Sequence, residues 1–118
     1  MNEDLRFKAL IVHLILNGRI EEAIRQLSEH YKVLAPKIKV GMPKGHIKNV
    51  ACYVRKTRTI HFSKREALTN PIVILHEFYH HLRAVTDKHG GVEKNANKFA
   101  EGFSKAYKKF CQLLDYDM

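Results

Sequence analysis

The sequence predicts a single α+β domain, residues 1–118, built from four helices and a small sheet. Apolar residues recur every three to four positions in residues 19–32 and again in residues 92–114, which predicts amphipathic helices near both ends. Between them, three short stretches within residues 38–63 alternate apolar and polar side chains, the pattern of half-buried strands. A length of 118 residues with 45% hydrophobic residues suits one globular domain with one modest core.

The N-terminal part of the chain predicts a helical hairpin. Residues 3–16 have apolar side chains on most faces, and Asn17-Gly18 breaks this helix. Residues 19–32 keep one apolar stripe at helical spacing, which predicts a second helix packed on the first. Three acidic side chains on this second helix would repel DNA, which disfavours a DNA-reading helix-turn-helix.

Three short strands form the predicted sheet, which we expect to be mainly antiparallel. The strands lie near residues 38–40, 50–54 and 59–63, where apolar and polar residues alternate. Residues 45–49 are predicted to be a loop, and residues 56–58 a turn between the second and third strands. The third strand precedes the next helix by only a few residues.

Two further helices carry the rest of the predicted core. Asn70-Pro71 suits an N-cap followed by proline at the first helical position. The apolar face of this third helix comprises Leu75, Phe78, Tyr79, Leu82 and Val85. Gly90-Gly91 then marks a break before the last helix, residues 92–114. The core stripe of the last helix comprises Val92, Ala96, Phe99, Phe103, Ala106, Phe110 and Leu114.

The third helix carries an H-E-x-x-H motif, which runs from His76 to His80. Positions i and i+4 lie on one helical face, so His76 and His80 can aim two imidazoles at one Zn²⁺. Glu77 then stands beside the bound water as a candidate general base. The helix is otherwise apolar nearly all round, and burying His and Glu there is costly unless they are paired or bound to metal. The structural alternative is two satisfied core histidines beside a glutamate.

A catalytic zinc site needs a third protein ligand and leaves the fourth position for water. Glu93 is the candidate, because it lies on the first turn of the last helix in line with Ala96, Asn97 and Ala100. The small alanines would let this helix pack close to the motif helix. The rival ligands are Asp87, His89 and Glu101. The structural alternative for Glu93 is an acidic first-turn residue that favours the helix dipole.

Residues 74–82 (ILHEFYHHL) and 91–100 (GVEKNANKFA) resemble the small gluzincin-type metallopeptidases, among them the archaeal minigluzincins and peptidases of the ImmA/IrrE type. The resemblance implies a zincin-like minimal domain, with H-E-x-x-H on an active-site helix and the third ligand on a following glutamate helix. Asn95 stands where ImmA/IrrE-type members often carry Glu, and the acid falls at Glu93 instead. No counterpart of the larger C-terminal subdomain of full-size gluzincins is expected.

Together these features predict a zinc metallopeptidase that hydrolyses a peptide or protein substrate. His76, His80 and Glu93 are expected to hold Zn²⁺, which lowers the pKa of its water and polarises the scissile carbonyl. Glu77 is expected to take a proton from that water and pass it to the leaving amine. An edge strand near residues 60–63 is expected to hold the substrate as an added strand.

Other side chains near the motif are given lesser roles. His61 or Tyr79 is a candidate for stabilising the oxyanion, although a structural role is favoured for both. His81 is predicted to face solvent, because its spacing from His76 is wrong for a shared face. Carboxylates in the tail, residues 115–118, are able to reach an open zinc position and would make the enzyme latent; a frayed, solvated terminus is the alternative.

Charge and composition limit the competing functions. The net charge of +9 permits binding of nucleic acid or an acidic partner, but the Lys and Arg residues are spread along the chain without a block of five, which favours a solvated surface. The alternative function is a non-catalytic metal-binding regulator of a protein partner, such as a DNA-binding repressor. A homo-oligomer is possible, since the sequence does not define the oligomeric state.

Cysteine usage and the absence of targeting signals complete the expectations. Cys52 and Cys111 predict two buried apolar thiols rather than a disulfide framework. The first residues are acidic, unlike a signal peptide, and the longest apolar run is too short to span a bilayer. A cytoplasmic protein without a membrane partner is therefore predicted.

Overall fold

The computed structural model describes residues 2–45, 49–86 and 93–117, and it confirms the α+β architecture. The elements in chain order are α1 (Glu3–Leu16), α2 (Ile20–Tyr31), β1 (Lys37–Val40), β2 (Ala51–Val54), β3 (Thr59–Phe62), α3 (Pro71–Val85) and α4 (Glu93–Asp117). A short 3₁₀ helix, Arg65–Thr69, joins β3 to α3. The predicted glycine break at residues 90–91 and part of the predicted loop at residues 45–49 lie outside the described residues.

The predicted N-terminal pair of helices is confirmed. The Asn2 side chain accepts a hydrogen bond from the Leu5 N–H at 2.7 Å, which satisfies one of the donors that every helix start leaves open. Gly18 takes a positive φ of 76°, a conformation that costs glycine little, and so allows α2 to begin two residues later. The two helices pack together through fully buried apolar side chains, including Ile15 and Leu27.

The sheet is mixed rather than mainly antiparallel. Its strand order is β1-β3-β2, with β1 parallel to β3 and β2 antiparallel to β3. The three strands alternate in direction along the chain, so placing β3 rather than β2 beside β1 makes that pairing parallel. The turn predicted near residues 56–58 is present, and in it the Arg58 N–H donates to the Arg55 carbonyl at 3.2 Å.

The edge strand that the sequence analysis assigned near residues 60–63 is therefore wrong, because β3 is the central strand and β1 and β2 form the edges. The Ser63 N–H donates to the Val50 carbonyl at 2.9 Å. Hydrogen-bonded and non-hydrogen-bonded pairs alternate along an antiparallel ladder, so Ala51 and Tyr53 direct their backbone N–H and C=O groups away from β3. The free edge of β2 is the one that borders α3.

The core lies between the helices and the inner face of the sheet. Ile60 and Phe62 of β3 are fully buried there. Helix α4 packs against both α1 and α3, and Ala96 and Ala100 are fully buried, as the small-residue pattern predicted. No helix within the described ranges is long and apolar enough to cross a membrane.

Helix α4 continues to Asp117, three residues beyond the predicted end at residue 114. Leu114, which was assigned to the core stripe, is 46% exposed. With a rise of 1.5 Å per residue, the backbone of residue 117 lies about 36 Å along the helix axis from Glu93. The backbone of residues 115–117 therefore lies far from the Glu93 end of its own helix. The side chains of residues 115–117 and all of Met118 lie outside the described part of the chain.

Candidate metal centre

Helix α3 begins where its cap predicts. The Asn70 side chain accepts a hydrogen bond from the Val73 N–H at 3.3 Å, and Pro71 occupies the first turn. One turn of helix separates His76 from His80, so their rings lie on the same face with centroids 5.0 Å apart. Their Nε2 atoms are 3.3 Å apart and point at the same place.

Glu93 completes this arrangement from the first turn of α4. Its carboxylate oxygens lie 2.7 Å from His76 Nε2 and 2.9 Å from His80 Nε2. Among the described residues, these three side chains are the one group of His, Cys, Asp and Glu placed to hold a metal ion. The rival Glu101 lies two turns further along α4 and outside the group, while Asp87 and His89 fall outside the described residues.

The spacing of the two imidazoles in this triad fits a tetrahedral metal ion. Two imidazole nitrogens bound to zinc at 2.0–2.1 Å and at the tetrahedral angle lie about 3.4 Å apart, and the observed separation is 3.3 Å. Two imidazoles and one carboxylate are the protein ligands of several zinc hydrolases, which keep the fourth position for water. Other divalent first-row ions also bind imidazole, so the three side chains are placed to hold a metal ion but do not identify the metal.

Asn97 holds the first of these imidazoles in place. The His76 Nδ1 lies 2.8 Å from Asn97 Oδ1, so the ring donates its Nδ1–H to the amide oxygen, and Nε2 is turned toward the point where the side chains of His80 and Glu93 converge. The sequence analysis had given Asn97 no such role. Its signal was available, because Asn97 follows Glu93 by four residues and so lies on the same face of α4.

Glu77 lies beside the triad but outside it. It is a buried polar residue with 9% exposure, and its Oε2 lies 3.9 Å from His76 Nε2. Burial raises the pKa of Glu77 above its ordinary value, and the nearby Glu93 carboxylate adds to this rise. His76, His80 and a hydrogen bond from the Tyr53 backbone N–H lower the pKa and so partly oppose it. A carboxylate with a raised pKa that faces a cleft is suited to accept and return a proton.

His81 does not face solvent as predicted; it is fully buried. Its Nε2 lies 2.8 Å from the Leu34 carbonyl, which can only accept, so Nε2 carries the proton. Its Nδ1 therefore accepts the hydroxyl proton of Tyr53, whose oxygen lies 2.8 Å away. Burial lowers the pKa of His81; the Leu34 carbonyl opposes that shift, and Arg58 adds to it. The neutral ring ties α3 to β2 and to the loop before β1.

A cleft of about 790 Å³ opens over the triad. The segment from Asn49 to Arg55, which contains β2, forms one wall, and α3 forms the other. Neither His61 nor Tyr79 lines it. His61 Nδ1 instead lies 2.9 Å from the Gly41 carbonyl, and Tyr79 packs on Phe99. The structure therefore brings neither oxyanion candidate to the triad.

The two cysteines are both free, with Cys52 buried and Cys111 partly exposed. Cys52 borders the cleft without belonging to the triad. The predicted burial of a thiol is therefore confirmed for Cys52 and holds only partly for Cys111.

Comparisons with models of protein families, with curated proteins and with solved structures give no match for this chain. The functional argument consequently depends on the geometry of His76, His80 and Glu93 and on the residues around them.

Proposed function

We propose that the protein is a zinc-dependent peptide hydrolase with the compact architecture of the small gluzincins. The observation that carries the proposal is the convergence of His76, His80 and Glu93 beside a buried carboxyl group, Glu77, in a cleft with a free strand edge. A purely structural metal site would have four protein ligands and no adjacent base. This triad leaves one side open to the cleft, as a hydrolytic site requires.

The chemistry is divided between the metal and Glu77. Zinc bound by the triad would lower the pKa of a water molecule and polarise the carbonyl of the scissile peptide. Glu77 takes a proton from water in the cleft and delivers it to the leaving amine. The Tyr53 N–H holds the Glu77 carboxylate in place, and burial raises the pKa of Glu77, which makes the carboxylate a better base for the proton of the water.

The free edge of β2 supplies a place for an extended substrate. Ala51 directs its N–H and C=O away from β3, and Tyr53 directs its C=O the same way. A peptide that added to this edge would form main-chain hydrogen bonds and lie across the cleft that contains the triad. This role falls to β2 rather than to the strand at residues 60–63.

The direct test is hydrolysis by the zinc-loaded protein and its Glu77→Gln variant. With a mixture of random-sequence peptides analysed by mass spectrometry, we expect cleavage by the parent protein and a loss of about 10²- to 10⁴-fold in the variant, since a proton-transfer group contributes on that order. The variant should bind zinc as the parent does, because Glu77 is not a ligand.

Glu101→Gln is the matched control, since it makes the same change at an exposed site on α4. We expect this control to cleave as fast as the parent. Equal cleavage by Glu77→Gln would contradict the proposal. Zinc binding with no cleavage by the parent would instead favour the metal-binding regulator.

A further inference from the structure

The charge of this protein is concentrated in one segment. Residues 30–65 contain ten Lys and Arg residues and no Asp or Glu, whereas the rest of the chain has eleven Lys and Arg and twelve Asp and Glu. The net charge of +9 therefore comes wholly from this segment. All three strands lie within it, so the excess of positive charge belongs to the segment that forms the sheet, although single Lys and Arg residues occur along the whole chain.

The described residues do not neutralise this charge internally. The ion pairs formed by Lys and Arg join side chains within α1 and within the segment that contains α2: Lys8 with Asp4, Arg19 with Glu22, and Arg25 with Glu22 and Glu29. No recorded ion pair in the described ranges includes a basic residue of the sheet segment. Uncompensated charge of one sign creates a field that attracts oppositely charged partners.

This positive region reaches the cleft at one end of β2, where Arg55 is the one Lys or Arg among the described lining residues; the two lining carboxylates, Glu77 and Glu93, lie at the triad. Arg55 directly follows β2, lines the cleft and begins the turn that also contains Lys56 and Arg58, all three of them exposed. The other end of the same wall is apolar, since Val50 lines the cleft and is 56% exposed. Val50 and Arg55 are five positions apart, which corresponds to about 17 Å of extended chain.

We infer that the cleft selects extended acidic peptides, with Asp or Glu beside Arg55 and an apolar side chain beside Val50. The inference rests on the proposed function only in taking the bound peptide to be a substrate that is then cleaved. The preference of the cleft for acidic peptides can be measured without cleavage. Nucleic acid fits less well, because the described strands offer no exposed ring for base stacking. Phe62 is fully buried, and Tyr53 is directed to His81.

The test measures binding without hydrolysis, using the full-length Glu77→Gln protein and fluorescence anisotropy of labelled ten-residue peptides. The peptides share one apolar half, while the other half contains Glu, Gln or Lys, and each is made in both orders. We expect the Glu peptide to bind tightest in one of the two orders, with about two- to fivefold gained for each exposed ion pair. Raising the ionic strength from about 0.05 to about 0.5 M should remove most of this gain.

Arg55→Glu, made in the Glu77→Gln protein, should weaken binding of the Glu peptide about fivefold or more and reverse the order of the Glu and Lys peptides. Arg55→Gln should give a smaller loss in the same direction, which guards against a folding defect. Lys108→Glu changes the net charge equally at an exposed site of α4 outside the segment. This control should change the affinity less than twofold.

The outcomes separate the inference from the proposed function. A preference for Glu peptides in a protein that cleaves nothing keeps the inference and removes the hydrolase. Equal binding of Glu and Gln peptides overturns the inference, even if the parent protein is a peptidase. Tighter binding of a random DNA duplex than of a Glu peptide at equal charge and salt also overturns it, in favour of a nucleic-acid partner.

Discussion

His76 Nδ1 lies 2.8 Å from the side-chain oxygen of Asn97, across the contact between α3 and α4. One turn earlier on α4, Glu93 approaches Nε2 of the same ring at 2.7 Å. One face of α4 therefore contacts both nitrogens of the His76 ring. Asn97 orients the ring through Nδ1, and Glu93 lies beside Nε2, where a metal ion would bind. A metal ion held by this triad would therefore couple its own binding to the packing of α4 on α3 through the His76 ring, and the first three predictions test that coupling.

Asn97→Ala should weaken zinc binding about 10- to 100-fold, the usual effect of removing the partner of a metal-binding histidine. The His76 ring would lose its orientation while all three ligands remained. Competition with a chromogenic chelator measures this affinity. Asn95→Ala is the matched control, because Asn95 is exposed on the same helix. Similar losses in the two variants would show that Asn97 does not position the ring.

Glu93→Gln should lower the affinity for zinc while leaving the folded structure intact, because it removes the charge of an exposed side chain and little of its volume. The double variant His76→Ala, His80→Ala should lose stoichiometric zinc altogether. Metal analysis after dialysis measures both, with Glu101→Gln as the control for charge. One zinc per chain retained by the double variant would refute the assigned site.

Removal of zinc should lower the melting temperature. The ion would bind only the folded state, so at a free concentration of 100 times its Kd it stabilises by about 2.7 kcal/mol. Thermal denaturation before and after chelation measures the shift, once loss of the metal has been verified. The Glu77→Gln protein should show the same shift, since Glu77 is not a ligand. An unchanged melting temperature would mean that the triad does not hold α3 and α4 together through the ion.

Tyr53→Phe should destabilise the fold by about 1–2 kcal/mol, because it leaves Nδ1 of the buried His81 without its donor. Tyr79→Phe removes the same atom from a half-buried tyrosine that packs on Phe99 and should cost less than about 0.5 kcal/mol. Urea denaturation of both variants measures the difference. Equal stabilities would argue that the hydrogen bond to His81 contributes nothing net. Tyr79→Phe should also leave hydrolysis unchanged, because Tyr79 does not line the cleft.

Local signals in the sequence determined the helices and most of the metal centre. Asn70 and Pro71 mark the start of α3, and the spacing of His76 and His80 places both on one face of any α-helix. Capping and helical periodicity act within a few residues, so the sequence alone is enough to predict them. Glu93 was predicted as a candidate for the same reason, since it lies on the first turn of α4.

Tertiary structure alone decided which strands are neighbours and which polar groups are buried. Alternation with period two identifies a strand but not its partner, so the central position of β3, and with it the edge position of β2, could not be predicted locally. The burial of His81 depends on Tyr53 and Leu34, which lie 28 and 47 residues away in sequence. A buried polar group is stable only where such partners meet it, and the folded chain is what brings them together.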